Sequence, residues 1–234
     1  MSVKDRLLTS AALLLCAALA SGFGMVVHRE EANGSKEQIA CVMDREEMME
    51  HPKIAITFDD GPDPVYTPQL LDGLRERKAR ATFFLMGKQA KAHPELVRRM
   101  QEEGHLIGNH TYSHIQLKKS NREKFKAELI KTNELLEEIT GEEVQFVRPP
   151  YGSWDKSLES ELTMIPVLWT IDPMDWCSDN VSAIVKKVTD KAKENAVILM
   201  HDEYSSSVTA ALEIVDILQK EGYEFVTVEE LLWD

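Results

Sequence analysis

The sequence predicts an α/β fold, a distorted (β/α) barrel of about seven parallel strands, preceded by an N-terminal hydrophobic helix. Three observations carry that expectation. Short apolar runs alternate with amphipathic stretches from Lys53 onward, the pattern of strands linked by crossover helices. The 234 residues, 43% of them hydrophobic, suffice for one sizeable core. The first 27 residues differ sharply in composition from the remainder of the chain. An open doubly wound sheet is the fallback architecture.

Taken in order, residues 1–27 begin with Lys4 and Arg6 and continue as Leu7–Val27, 21 residues without a charge, enough to cross a bilayer as a helix. The run extends through Met25-Val26-Val27, which favours a signal anchor. Ala18-Leu19-Ala20 offers the small-x-small form of a cleavage site, so a cleaved signal peptide is the rival. On either reading the remainder is exported, tethered to the membrane or secreted. Residues 28–52 are polar and broken by Asn33-Gly34-Ser35, a stalk, and 53–234 form the catalytic domain.

Strands are expected at Lys53–Phe58, Ala81–Leu85, Leu106–Asn109, Phe146–Arg148, Val167–Ile171, Ala196–Met200 and Phe225–Thr227. Thr67 is read as the cap of a helix over Pro68–Lys78, and Pro94–Glu103 ends at Gly104. Ser120 and Glu123 suggest a capping box for a helix stopping at Gly141, and Thr209–Glu221 stops at Gly222.

The formal charge of −13, from 40 acidic and 27 basic residues, excludes a broad phosphate-binding surface and with it nucleic acid as a partner. A neutral or cationic polymer fits the acidic balance better. Outside the apolar segment only Cys41 and Cys177 occur, too few for a disulfide scaffold or a thiolate zinc site. One disulfide and two free thiols are equally compatible with the sequence.

Candidate chemistry clusters just after the predicted strands, where barrel and open-sheet enzymes both place their sites. His110-Thr111-Tyr112-Ser113-His114 spaces two imidazoles i,i+4, a separation that lets both rings face one ion. Thr111 stands where the usual metalloprotease motif requires Glu, which excludes that class. In Thr57-Phe58-Asp59-Asp60-Gly61-Pro62 two carboxylates leave a strand into a turn, so one can ligate while its neighbour faces the metal-bound water. Each pattern alone has a bland alternative: polar surface for the histidines, an Asx turn for the aspartates.

TFDDGP at 57–62, HTYSH at 110–114, RPPYG at 148–152, DPMDW at 172–176 and LMH at 199–201 together resemble the five ordered motifs of the polysaccharide deacetylases, carbohydrate esterase family 4. The resemblance spans Lys53 to about Leu232. It implies Asp60, His110 and His114 as ligands of one divalent metal, zinc first, with cobalt or nickel also suited to a His/carboxylate site. It implies Asp59 as general base, Arg148 as its partner, His201 as general acid and Asp175 as the carboxylate against that histidine. The backbone N–H of Tyr151, the first free amide after Pro150, is implied as an oxyanion donor. Trp176 and Leu199 wall an acetyl pocket. Trp169 reads as core, Asp172 as a brace of its loop, and His28, His51, His93 and His105 as surface or structural.

The implied activity is hydrolysis of N-acetyl groups on a cell-surface polysaccharide, peptidoglycan or chitin oligosaccharide; the sequence leaves the oligomeric state open, and a monomer is assumed. O-acetyl ester hydrolysis on xylan uses the same machinery, and a non-catalytic glycan-binding envelope protein is the reading from another class. A phosphatase is disfavoured, since the sequence shows neither a phosphate-cradling Gly-rich loop nor a basic cluster.

Overall fold

The computed structural model describes residues 51–159 and 161–233. The expected membrane segment, most of the expected stalk and Cys41 lie outside these residues. Among the described residues no helix is long and apolar enough to cross a membrane.

Seven parallel strands form one curved sheet: β1 (Lys53–Asp59), β2 (Thr82–Leu85), β3 (Leu106–Asn109), β4 (Phe146–Val147), β5 (Ile165–Pro166), β6 (Val197–His201) and β7 (Glu224–Phe225). The order is β5-β4-β3-β2-β1-β6, with β7 pairing the start of β1 at Lys53 and Ile54. A parallel bridge between Ile171 and Ile198 brings the chain after β5 back to β6, so the sheet rolls into the expected distorted barrel. The connecting helices are α1 (Tyr66–Glu76), α2 (Gly87–Ala92), α3 (Pro94–Glu102), α4 (Arg122–Thr140), α5 (Val181–Thr189), α6 (Ser205–Lys220) and α7 (Val228–Trp233).

The period-two alternation of the strands sorts side chains into two cores. Ile54, Ile56 and Phe58 of β1 face outward with Phe83, Leu85, Ile107, Ile198 and Met200, where the apolar faces of α1 and α6 cover them. Ala55, Phe84, Phe146 and Val167 face inward and fill the barrel floor with Val228. The inward parity continues up the strands through Thr57 to Asp59, Gly108 to His110, Phe146 to Arg148, and Leu199 to His201. Asp59 and His201 are register partners on adjacent strands. The barrel thus delivers four polar side chains to one end.

Several sequence expectations require correction. The strand expected over Val167–Ile171 does not form there: β5 lies just before it, at Ile165–Pro166, and within the expected range only Ile171 bridges β6. The cause is Arg148, whose guanidinium takes the carbonyls of Val167 and Leu168 at 3.2 and 3.3 Å, removing acceptors that a ladder would use. Thr67 does not cap α1. Val65 is the N-cap residue, without a side-chain cap; Asp63 forms the turn leading into the helix, its Oδ1 accepting from the amides of Val65 and Tyr66 at 2.8 Å, while Thr67 Oγ1 accepts from the Asp63 amide. The Ser120/Glu123 box is replaced by Asn121, whose side chain accepts from the Lys118 amide at 2.7 Å. α6 begins four residues before Thr209, and α2, α5 and α7 add to the four helices named from the sequence.

Inward-facing Gly108 lets Phe84 lie across the barrel: a Cβ there would meet Phe84 Cδ1 at 2.5 Å and the Phe146 carbonyl at 3.2 Å. Gly108→Ala is therefore expected to destabilise the domain by about 2 kcal/mol, the usual cost of overpacking. A denaturant titration with unchanged slope and a lowered midpoint is the expected observation.

Candidate active site

An open cavity of about 450 Å³ lies at the C-terminal ends of the strands, lined by Asp59, Asp60, His110, His114, Tyr151, Trp176, Leu199 and His201 among others. Arg148 and Asp175 are buried behind it, and Pro150 is buried in the loop that presents Tyr151. The cavity also takes in Trp169, Asp172 and Tyr204. Trp169 is half-buried and faces this space, so the expectation of a core position is corrected.

Arg148 is fully buried, its guanidinium carbon 4.2 Å from the centre of the Phe84 ring. One terminal nitrogen donates to Thr57 Oγ1 at 2.6 Å and to Asp59 Oδ1 at 2.8 Å. Burial works against the guanidinium charge, and the Asp59 carboxylate works for it. Asp59 Oδ2 remains directed at the cavity, 3.8 Å from His110 Nε2.

Asp60 leaves β1 with φ 75°, a left-handed turn that separates its carboxylate from that of Asp59. Its Oδ1 lies 3.5 Å from His110 Nε2 and 3.4 Å from His114 Nε2. These atoms form a cluster within 4.8 Å of one another, a group with the composition of a metal site. Ligands about 2.1 Å from a tetrahedral zinc stand about 3.4 Å apart by simple geometry, so the two measured edges fit such an ion. Asp60 Oδ1 is buried without a hydrogen-bond partner, an orphan that a cation would satisfy. His110 Nδ1 lies 2.6 Å from the Arg148 carbonyl, which takes a proton there and leaves Nε2 with its lone pair toward the cluster. Burial lowers the pKa of both His110 and His114, keeping the rings neutral as ligands must be. Burial raises that of Asp60, and a bound cation would reverse that shift.

Across the cavity Asp175 grips His201 twice, Oδ2 accepting from its amide at 2.9 Å and Oδ1 facing Nδ1 at 3.0 Å. Burial disfavours the imidazolium, but the hydrogen bond and charge of Asp175, aided by Asp59 and Asp60, prevail and raise the pKa to about 9. His201 Nε2 points inward, 4.0 Å from Asp60 Oδ2.

The loops here are conformationally costly. Five non-glycine residues with positive φ, Asp60, Thr111, His114, Tyr151 and Met174, lie in the segments that frame the cavity. Asn109 Oδ1 accepts from the Thr111 amide and Asp172 Oδ1 from the Met174 amide, at 2.8 and 2.7 Å, which holds two of these turns. Tyr151 is 65% exposed, its ring 4.8 Å from that of His114.

A family model described as polysaccharide deacetylase matches residues 46–166. A peptidoglycan N-acetylglucosamine deacetylase of Bacillus cereus is 43% identical over 187 residues, covering 76% of this chain and 87% of that protein. The chain belongs to the polysaccharide deacetylase family. Another of these deacetylases, the Bacillus subtilis peptidoglycan N-acetylmuramic acid deacetylase PdaC, is 41% identical over 178 residues, which span 76% of this chain but only 38% of PdaC. The solved structure of PdaC superposes with a TM-score of 0.75 at 40% identity, over 78% of this chain and 90% of the solved one.

Two features of this deacetylase domain carried no sequence signal. Tyr204 has no motif of its own, though it lies three residues beyond His201. Asp202 is fully buried beneath the Gly61 turn, where a Cβ at Gly61 would collide with its carboxylate. Thr67 Oγ1 donates to Asp202 Oδ2, while Oδ1 lacks a partner. Burial raises the Asp202 pKa to about 7 from 3.8. His105, read as surface or structural, is buried and accepts from the Ala81 amide through Nδ1 at 3.1 Å. Cys177 is exposed.

The sign of the Asp202 effect comes from linkage. Between the unfolded pKa and about 7 the folded chain holds a proton that the unfolded chain has released, so stability falls as pH rises through that window. Asp202→Asn, which stays neutral, is expected to flatten that slope by up to about 1.4 kcal/mol per pH unit. Parallel melts of both proteins between pH 5 and pH 8 measure it, and equal slopes would show that Asp202 is ionised throughout.

Proposed function

We propose that this chain removes acetyl groups from the N-acetylated sugars of peptidoglycan or a related polymer, with Asp59 as general base and His201 as general acid. The observation that carries the proposal is the pairing: a carboxylate held by Arg148 and an imidazole held by Asp175 stand on adjacent strands, each beside one His/Asp cluster. A pure binding site has no use for an oriented base and an oriented acid, which argues against a non-catalytic glycan-binding role. The relatives named as peptidoglycan deacetylases support the substrate class.

Asp60, His110 and His114 would hold a divalent metal, zinc by the chemistry of the donor set, which supplies Lewis acidity toward the acetamide oxygen and acidifies water. Asp59 Oδ2 takes the proton from the attacking water while Arg148 keeps its other oxygen occupied and the carboxylate aimed. The water oxygen bonds to the carbonyl carbon, and the Tyr151 amide donates to the oxygen that becomes anionic. His201 Nε2–H then protonates the departing nitrogen as the carbon–nitrogen bond breaks, and Asp175 stabilises the imidazolium before transfer. Acetate and a free amine result. Trp176 and Leu199 border the space for the acetyl methyl.

The uncharged stretch at 7–27 favours an extracytoplasmic site, with the domain tethered through that stretch or released by cleavage within it. We take the active form as a monomer, since nothing in the cavity requires a second copy.

Asp59→Asn is expected to lower kcat by about 10²–10⁴-fold with metal content unchanged, whereas Asp60→Asn should lose metal. Acetate release from peptidoglycan, read beside metal analysis of both variants, tests this; metal loss in the Asp59 variant would reverse the two roles. A second expectation concerns pH. kcat/KM should fall at high pH as His201 loses its proton, and Asp175→Asn, by removing the charge that raises the His201 pKa, should move that limb to lower pH. An unmoved limb would take His201 out of the acid role.

A further inference from the structure

A second groove, about 620 Å³, adjoins the catalytic cavity and is basic in a chain whose formal charge is −13. Its two walls continue the loops that frame the active site. One follows His114 and brings Lys118 and Lys119; the other follows Tyr151 and brings Ser153, Trp154 and Lys156. A hydrogen bond from Gln116 Nε2 to Ser153 Oγ, 3.1 Å, joins the walls.

The cations here differ in their partners. Arg122 is committed to Glu161 at 2.7 Å and helps shape the groove. Lys118, Lys119 and Lys156 are exposed, and among the described residues none of the three forms an ion pair. Asp155 is the groove's one acidic residue, and its Oδ1 is occupied by the Ser157 amide at 2.9 Å. Trp154 is partly buried against the small core of Phe125, Leu129 and Leu158, as is Leu117, while its indole N–H donates to Glu159 at 3.2 Å, and the two contacts hold the ring in place. A fixed aromatic surface beside three uncommitted ammonium groups suits a sugar that carries acid, since the ring meets the sugar's apolar face and the cations meet carboxylates.

We propose that this groove is a subsite for carboxylate-bearing substituents of the glycan strand whose acetamide occupies the catalytic cavity. The proposal rests on the deacetylase reading and narrows it: acidic glycans are preferred to neutral N-acetylglucosamine oligomers, which offer the lysines nothing to pair with. It also qualifies the inference from net charge. The sum of −13 points to a neutral or cationic polymer, but a cleft lined by one sign focuses its own field locally. A bilayer surface is the less suited partner, because the groove is concave and continuous with the catalytic loops.

The test compares the full chain with its Lys118→Ser/Lys119→Ser/Lys156→Ser variant on two oligosaccharides of equal length. One is chitin oligosaccharide; the other alternates N-acetylglucosamine with N-acetylmuramic acid. The variant should show a KM raised about tenfold on the acidic glycan, little change in kcat, and unchanged kcat/KM on the neutral one. Added salt should raise the parent's KM on the acidic glycan and leave the variant's nearly constant. Equal effects on both substrates, or none on the acidic one, would overturn the subsite.

Calorimetric binding in an Asp59→Asn background separates this proposal from the reaction it rests on. Tighter binding of the acidic glycan that disappears with the lysines supports the subsite even if neither glycan is hydrolysed, an outcome that would instead count against the deacetylase reading. Equal affinity for both glycans, or lysine-dependent binding to anionic lipid vesicles without any to the acidic glycan, would sink the subsite.

Discussion

The buried guanidinium of Arg148 is the constraint around which the barrel end is arranged. It lies inside the barrel on the face of Phe84 and reaches Thr57, Asp59 and the carbonyls of Val167 and Leu168, tying together β1, β4 and the segment after β5. A buried charge of this kind is tolerated only when its donors are met, and loss of one partner of such a pair typically costs about 3–5 kcal/mol. The same contacts orient the Asp59 carboxylate, disrupt the fifth strand and open the barrel wall where Trp169 enters the cavity. Stability of the barrel end and aim of the candidate base therefore depend on one side chain.

Strand parity explains why so few residues suffice. Asp59 and His201 end their strands and His110 and Arg148 stand one residue beyond theirs, all at inward positions of four parallel strands, so no long loop has to find them. The loops contribute what parity cannot: Asp60, His114 and Tyr151 come from turns with positive φ. Rigid strands thus supply the candidate base, its partner and the candidate acid, while strained turns complete the metal-type cluster and one wall of the cavity.

Much of this was legible because it is local. Apolar runs located β1, β2, β3 and β6 to within about a residue, and the ordered motifs singled out the residues that the fold gathers at the cavity. What was not legible depends on long-range partners. The Val167–Ile171 run looks like a buried strand until Arg148, nineteen residues earlier, claims its carbonyls. Thr67 has the composition of a cap, yet its hydroxyl is committed to Asp202, 135 positions away. Trp169 reads as core because apolar periodicity does not distinguish a barrel interior from the wall of a cavity. The basic groove was hidden by summation, since a net charge records how many ions a chain carries and not where they stand.

The left-handed residues around the cavity carry a further implication for the chain's evolution. Each would be relieved by glycine, which accepts positive φ without penalty, and each instead keeps a side chain in a segment that frames the cavity. Random drift toward greater robustness therefore has its easiest gains at the positions where function has least to give away. A lineage selected for heat resistance alone would be expected to lose the cavity mouth first, while the barrel beneath it stayed intact.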